Sequence, residues 1–157
     1  LAHLYRATVA WRRDPAADFA RGRYSRRHLW RFDGGIDVAA SASPSVVPKP
    51  WSAEDAVDPE EAFVASLSSC HMLTFIDLAR RDGFVLDSYE DTAEGVMEKN
   101  AEGRYWISTV TLRPKILFSG EKKPSAADLD RLHHAAHEQC FIANSVRSVI
   151  RVEPANA

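Results

Sequence analysis

A chain of 157 residues with 45% hydrophobic and 27% charged side chains carries enough apolar material for one buried core, which excludes a disordered or low-complexity polypeptide. A formal net charge of -2 provides no electrostatic footprint for nucleic acid or an anionic membrane surface. Two cysteines are too few for a disulfide-stapled secreted scaffold, so a reducing, cytoplasmic setting is expected; no signal-peptide pattern is visible, and no uninterrupted apolar run approaches the roughly 18 residues of a membrane span.

In chain order, residues 3–11 carry Leu4, Ala7, Val9 and Trp11 as apolar positions of a half-buried strand. Residues 12–23, rich in Arg, Asp and Ala, predict a loop or a short helical turn. A second strand is predicted over 24–32, and Asp33-Gly34-Gly35 before Ile36-Asp37-Val38 signals a hairpin. Pro44, Pro48 and Pro50 make 41–57 an irregular linker or lid.

Asp58 then opens the best-marked element. Asp is a favoured N-cap, Pro59 suits the first helical position, and Glu61 completes a capping box. The helix should stop at Arg80-Arg81-Asp82-Gly83, where cations and then glycine end a helix well. Apolar residues from Ala62 to Ala79 leave little polar surface, which predicts burial on most sides, in a domain core or an oligomer. Residues 84–98 and 104–118 read as two strands joined by a turn at 100–103. Ser125 caps a second helix with Asp128 three residues on and Leu129, Leu132 and Ala136 as its inner stripe; Cys140 falls at its end, and 145–152 reads as a closing strand. Strands, helix, strands, helix, strand make an α+β chain, expected to form a single domain over 1–157.

The chemistry rests on the two thiols. Cys70 and Cys140 stand seventy residues apart, each in an apolar, helix-patterned segment with a histidine nearby, His71 beside the first and His137 three before the second. Without zinc-type CxxC spacing, thiol redox chemistry fits better than a metal knuckle, although free cysteine is also among the most buried residue types and a purely structural pair is the plain alternative. Only the thiolate reacts, and Cys70 lies about three turns into its helix, beyond the reach of the dipole, so its activation needs a cation from elsewhere in the fold. Glu60 is ten residues upstream, roughly 15 Å along a straight helix, and acts on Cys70 only through an intermediary or a partner subunit.

Two motifs carry a family resemblance. DPEEAFVASLSSC at 58–70 resembles the segment around the first cysteine of the OsmC/Ohr proteins, the osmotically inducible protein C and organic hydroperoxide resistance proteins. CFIANSV at 140–146 looks like the second cysteine motif of that family, and the order of strands and helices is similar over essentially the whole chain. The resemblance implies antiparallel sheets around two central helices in an intertwined homodimer. It also implies a peroxidase that reduces organic hydroperoxides without metal or flavin: Cys70 attacks the peroxide, Cys140 resolves the sulfenic acid as a disulfide, and a dithiol reductant reopens it. Glu60 matches the family's acid, which holds an arginine that favours the thiolate. This chain offers Lys49 where OsmC-branch proteins carry that arginine, and Arg23, Arg26 or Arg27 where the Ohr branch does; Lys49 and the Arg26/Arg27 pair stand as equal candidates.

Trp51, Phe63 and His71 are taken as walls of an apolar substrate pocket. His133 and His137 share a helix face, with Cys140 a turn further on, an arrangement that also suits zinc, thiol tuning, or plain packing. A binding or sensing protein on the same fold is the competing class of function.

Overall fold

A computed structural model describes residues 2–155. The chain divides into two compact units between Ala62 and Phe63.

In the first unit β1 (Ala7–Ala10), β2 (His28–Phe32) and β3 (Asp37–Ala40) form an antiparallel sheet in the order β1-β2-β3. Val9 pairs with Trp30, and Trp30 with Val38. The predicted hairpin closes through Gly35, which donates to the Phe32 carbonyl at a φ of 78° that glycine adopts without steric cost. Both outer predictions were too long. Residues 24–27 leave the ladder because the Arg26 N–H goes to the Trp51 carbonyl and the Trp11 indole donates to the Ser25 carbonyl. The proline-rich segment is irregular, as expected, and is strapped to β3 by reciprocal bonds between Ala39, Ser41 and Val57.

Helix α1 (Pro59–Arg81) begins where its cap predicts: Glu61 N–H donates to Asp58 Oδ1 at 2.7 Å and Asp58 N–H to Glu61 Oε2 at 3.2 Å. By length and composition alone α1 is apolar enough to cross a membrane, with a mean hydropathy of 1.4 over its best window. The sequence reading missed this because Glu60, Glu61 and Asp77 interrupt the apolar run. The helix belongs to a core instead, since Leu67, His71, Phe75 and Ala79, each four residues apart, form one buried stripe. Burial on most sides is not what this chain provides: Leu73, on another face, stays 61% exposed.

The second unit holds β4 (Val85–Asp91), β5 (Glu94–Lys99), β6 (Tyr105–Leu112), β7 (Pro114–Ser119), helix α2 (Ala126–Gln139) and β8 (Val149–Val152). Each of the two long strands predicted here is in fact two strands in different sheets: β4 pairs with β7, and β5, β6 and β8 form the other sheet, with β8 parallel to β6 and the remaining pairs antiparallel. Asp91 makes the corner. One carboxylate oxygen accepts the Arg113 N–H at 2.6 Å and the other accepts the Ser68 hydroxyl of α1, while Pro114 has no N–H to continue a ladder. Two clusters fill the interior, one around Phe75, Phe84, Ile116 and Leu132, the other around Leu67, Val110 and Leu112. Gly95 lets β5 approach α1, because a Cβ there would stand 2.7 Å from Val64 Cγ2.

Candidate thiol site

Helix α2 carries Cys140 as its C-cap, after a capping box at Ser125 and Asp128 fixes its other end. The Cys140 side chain is 1% exposed. Its backbone is held by several bonds: its N–H donates to the His137 carbonyl, and its carbonyl accepts from the Asn144 N–H at 3.0 Å and the Asn144 side-chain amide at 3.1 Å. Its sulfur accepts the Ala143 N–H at 3.4 Å. Cys70 lies half-buried on α1, and both cysteines are free thiols.

Burial, and then the neighbouring Cys70 side chain, push the Cys140 pKa up to about 11. Its position at the negative end of α2 acts in the same direction. Near neutral pH, Cys140 therefore holds its proton. The pair is unequal: a partly accessible sulfur on α1 and a buried, protonated one at the end of α2.

The acid and the candidate cations fall in the first unit. Glu60, half-buried in the first turn of α1, has no hydrogen-bond or ion-pair partner among the described residues. Lys49 pairs with Glu54 at 2.7 Å, and Arg27 with Asp55. Arg26 differs from both. Its Nη1 donates to the carbonyls of Gly22 at 2.8 Å and Tyr24 at 2.7 Å, and its guanidinium lies 3.7 Å above the Tyr24 ring. These partners are neutral, so the charge of Arg26 is held in place without being cancelled. Trp51 is half-buried, its carbonyl taken by Arg26. In the second unit Phe63 lines a shallow recess of about 350 Å³ with Trp106, Val146 and Ser148.

His71, expected at a pocket wall, is buried between the helices of the second unit. It is 1% exposed, and its Nε2 lies 3.1 Å from Nδ1 of His133 on α2, the two rings within 9° of parallel. Burial pushes both pKa values down to about 4, helped at His71 by the neighbouring His133 and His137, and opposed at His133 by Asp130 and Asp91. Each ring occupies an inner-stripe position, Leu67-His71-Phe75 on α1 and Leu132-His133-Ala136 on α2. That spacing is the signal by which sequence reading could have placed them in the core. Among the described residues no group of three or more His, Cys, Asp or Glu is placed to hold a metal ion, so His133, His137 and Cys140 do not supply the zinc arrangement considered from sequence.

The histidine pair makes stability depend on acid. Both rings bind fewer protons folded than unfolded, so their contribution is complete above the ordinary value of 6.5 and is lost as pH falls toward 4. The loss is on the order of 3 kcal/mol per histidine at most. Thermal melts at pH 7, 6 and 5 should show the midpoint dropping in that interval, before most carboxylates titrate. The His71→Leu/His133→Leu double variant should flatten the slope, and a wild-type midpoint level from pH 7 to 5 would contradict the assignment.

The family described as OsmC-like protein matches residues 52–155. The chain belongs to that family. An OsmC-like protein of unknown function from Vibrio cholerae is similar over 98% of this chain and 99% of its own, at 48% identity and a TM-score of 0.95. An organic hydroperoxide resistance protein from Elizabethkingia anophelis is 18% identical with a TM-score of 0.70, covering 98% of this chain and 95% of that one. The organic hydroperoxide resistance protein OhrB of Bacillus subtilis is 18% identical with a TM-score of 0.66, covering 97% and 98%. At those identities the last two establish the shared α+β fold. Among curated proteins, none matches the chain.

Proposed function

We propose that this OsmC-like protein is a thiol peroxidase for organic hydroperoxides, acting in a reducing, cytoplasmic compartment. What supports it most is the pairing of a buried Cys140, which keeps its proton, with the half-buried Cys70 as its neighbour. The Cys70 thiolate attacks the outer oxygen of ROOH, the O–O bond breaks, and the alkoxide leaves with a proton as ROH; the product is the Cys70 sulfenic acid. Cys140 then forms a bond to the Cys70 sulfur, the S–O bond breaks, and the hydroxide leaves as water with the thiol's proton. A dithiol reductant restores both thiols by exchange and is itself oxidised to a disulfide. Hydrogen peroxide would enter as the smallest substrate of the same step.

Assembly as a homodimer is part of the reading. Leu73, three residues after Cys70, is 61% exposed, and Phe141, next to Cys140, is 79% exposed. Apolar side chains left open beside both thiols suit a second copy, which would also bring Glu60 a cationic partner and close the site from water.

Intact mass and free-thiol count before and after one equivalent of cumene hydroperoxide test the reading. A loss of about two mass units and of both thiols, reversed by a dithiol, is expected if the sulfurs can join. Two unreacted thiols would overturn it, and a binding or sensing protein on the same fold would replace it.

A further inference from the structure

The recess that Phe63 lines, between α1, β6 and the segment leading into β8, holds about 350 Å³, within the range of about 300–1,000 Å³ typical of ligand sites. Its body is apolar. Phe63, Ile107 and Val146 line it and are held from behind, since they pack onto the cluster of Leu67, Val110 and Leu112; Trp106 adds a half-buried indole. The two hydroxyl groups in the wall are already engaged. Ser145 donates to the Phe141 carbonyl at 2.7 Å, and Ser148 to the Ile107 carbonyl at 2.6 Å. No carboxylate lines the recess. The polar side chains that remain are the Trp106 indole and Arg147, and neither has a hydrogen-bond or ion-pair partner among the described residues. Arg147 is exposed, so its guanidinium is open to a ligand and swings over the mouth of the recess without breaking any bond.

We propose that this recess binds a small aromatic monocarboxylate, its flat body against the apolar wall and its carboxylate paired with Arg147. Each part of that description follows from the wall. A cation finds no acid there, and a sugar-like molecule finds both hydroxyls engaged and an apolar floor. An aromatic ring suits Phe63 and Trp106, because such rings gain from offset or edge contacts and lose little freedom on binding. A carboxylate matches the guanidinium fork with two parallel hydrogen bonds, and the ring beneath it excludes water from the pair. A second negative charge is disfavoured, since Arg147 is the one cation in the wall and Glu98 stands opposite Trp106 in the β5–β6 ladder. The inference goes beyond the proposed peroxidase chemistry. It uses neither cysteine and its ligand carries no hydroperoxide, so either reading can fail without the other.

The test is proton–nitrogen NMR on the reduced full chain labelled with ¹⁵N-tryptophan, titrated with cinnamate and, separately, with cinnamyl alcohol. The Trp106 indole signal is assigned by its loss in Trp106→Phe. Cinnamate should move that signal saturably, and the alcohol, the same body without the charge, should bind about tenfold more weakly. Arg147→Gln should weaken cinnamate by about tenfold and leave the alcohol within about twofold, because the substitution removes a charge from an exposed position and disturbs no packing. Arg147→Lys should recover part of the loss, since an ammonium keeps the charge without the fork. Absence of a saturable shift at Trp106 would overturn the proposal. So would an alcohol as tight as the carboxylate, full cinnamate affinity in Arg147→Gln, or an equal loss of both ligands in that variant.

Discussion

Cys70→Ser should abolish hydroperoxide consumption, by roughly a thousandfold or more, whereas Cys140→Ser should still consume one equivalent of peroxide and then stall. The asymmetry comes from the two sulfurs' surroundings. Cys140 is buried, caps α2 at its negative end, and keeps its proton with a pKa of about 11. It is a poor first nucleophile, because only the thiolate attacks a peroxide. Cys70 is the half-buried sulfur, the one with access. Once Cys70 carries a hydroxyl, the retained proton of Cys140 becomes useful: the leaving hydroxide takes it and departs as water, so low acidity does not block the second step.

Peroxide loss followed with a dithiol reductant separates the two roles, and a sulfenic-acid trap identifies the stalled species. Cys140→Ser should accumulate a Cys70 adduct that the wild type does not. Equal residual turnover in the two variants would remove the assignment of roles, and an adduct on Cys140 would reverse it.

The helix ends were legible because caps are local. Asp58 with Glu61, and Ser125 with Asp128, satisfy backbone donors three residues away, and both boxes form as the spacing predicts. The strand breaks were not. Val85–Asp91 and Glu94–Lys99 alternate in sequence as one strand would, and the break between them depends on Asp91 reaching Arg113 and Ser68, both distant in the chain. Pro114 was the available sign that the other long strand could not run through. At the site, stripe positions disclose that His71 and His133 are inside, yet no local pattern states that they pair. The nearness of Cys70 to Cys140 across seventy residues is likewise a property of the packed chain, and in the sequence only the family resemblance anticipated it.

The cation that pairs with Glu60 should be Arg26, and the partners of the three candidates give the reason. Asp55 neutralises Arg27 and Glu54 neutralises Lys49, so neither has charge to spare without breaking an existing pair. Arg26 is fixed by two carbonyls and the Tyr24 ring through one face and Nη1, which leaves Nε and Nη2, without a partner among the described residues, as a fork suited to a carboxylate. Glu60 is the carboxylate without a partner among the described residues. Arg26→Ala should therefore lower kcat/KM by about a hundredfold and slow alkylation of Cys70 by iodoacetamide at neutral pH, since fewer sulfurs would be thiolate. Arg26→Lys should recover only part of the loss, because an ammonium keeps the charge and loses the fork. Glu60→Gln should follow Arg26→Ala in direction, and combining the two should cost little more than either alone if they act as one unit. Arg27→Ala and Lys49→Ala should each change kcat/KM by no more than about threefold, the range expected for exposed pairs. A hundredfold loss in Lys49→Ala with Arg26→Ala near wild type would move the cation to the proline-rich segment and make this chain a lysine-dependent member of its family.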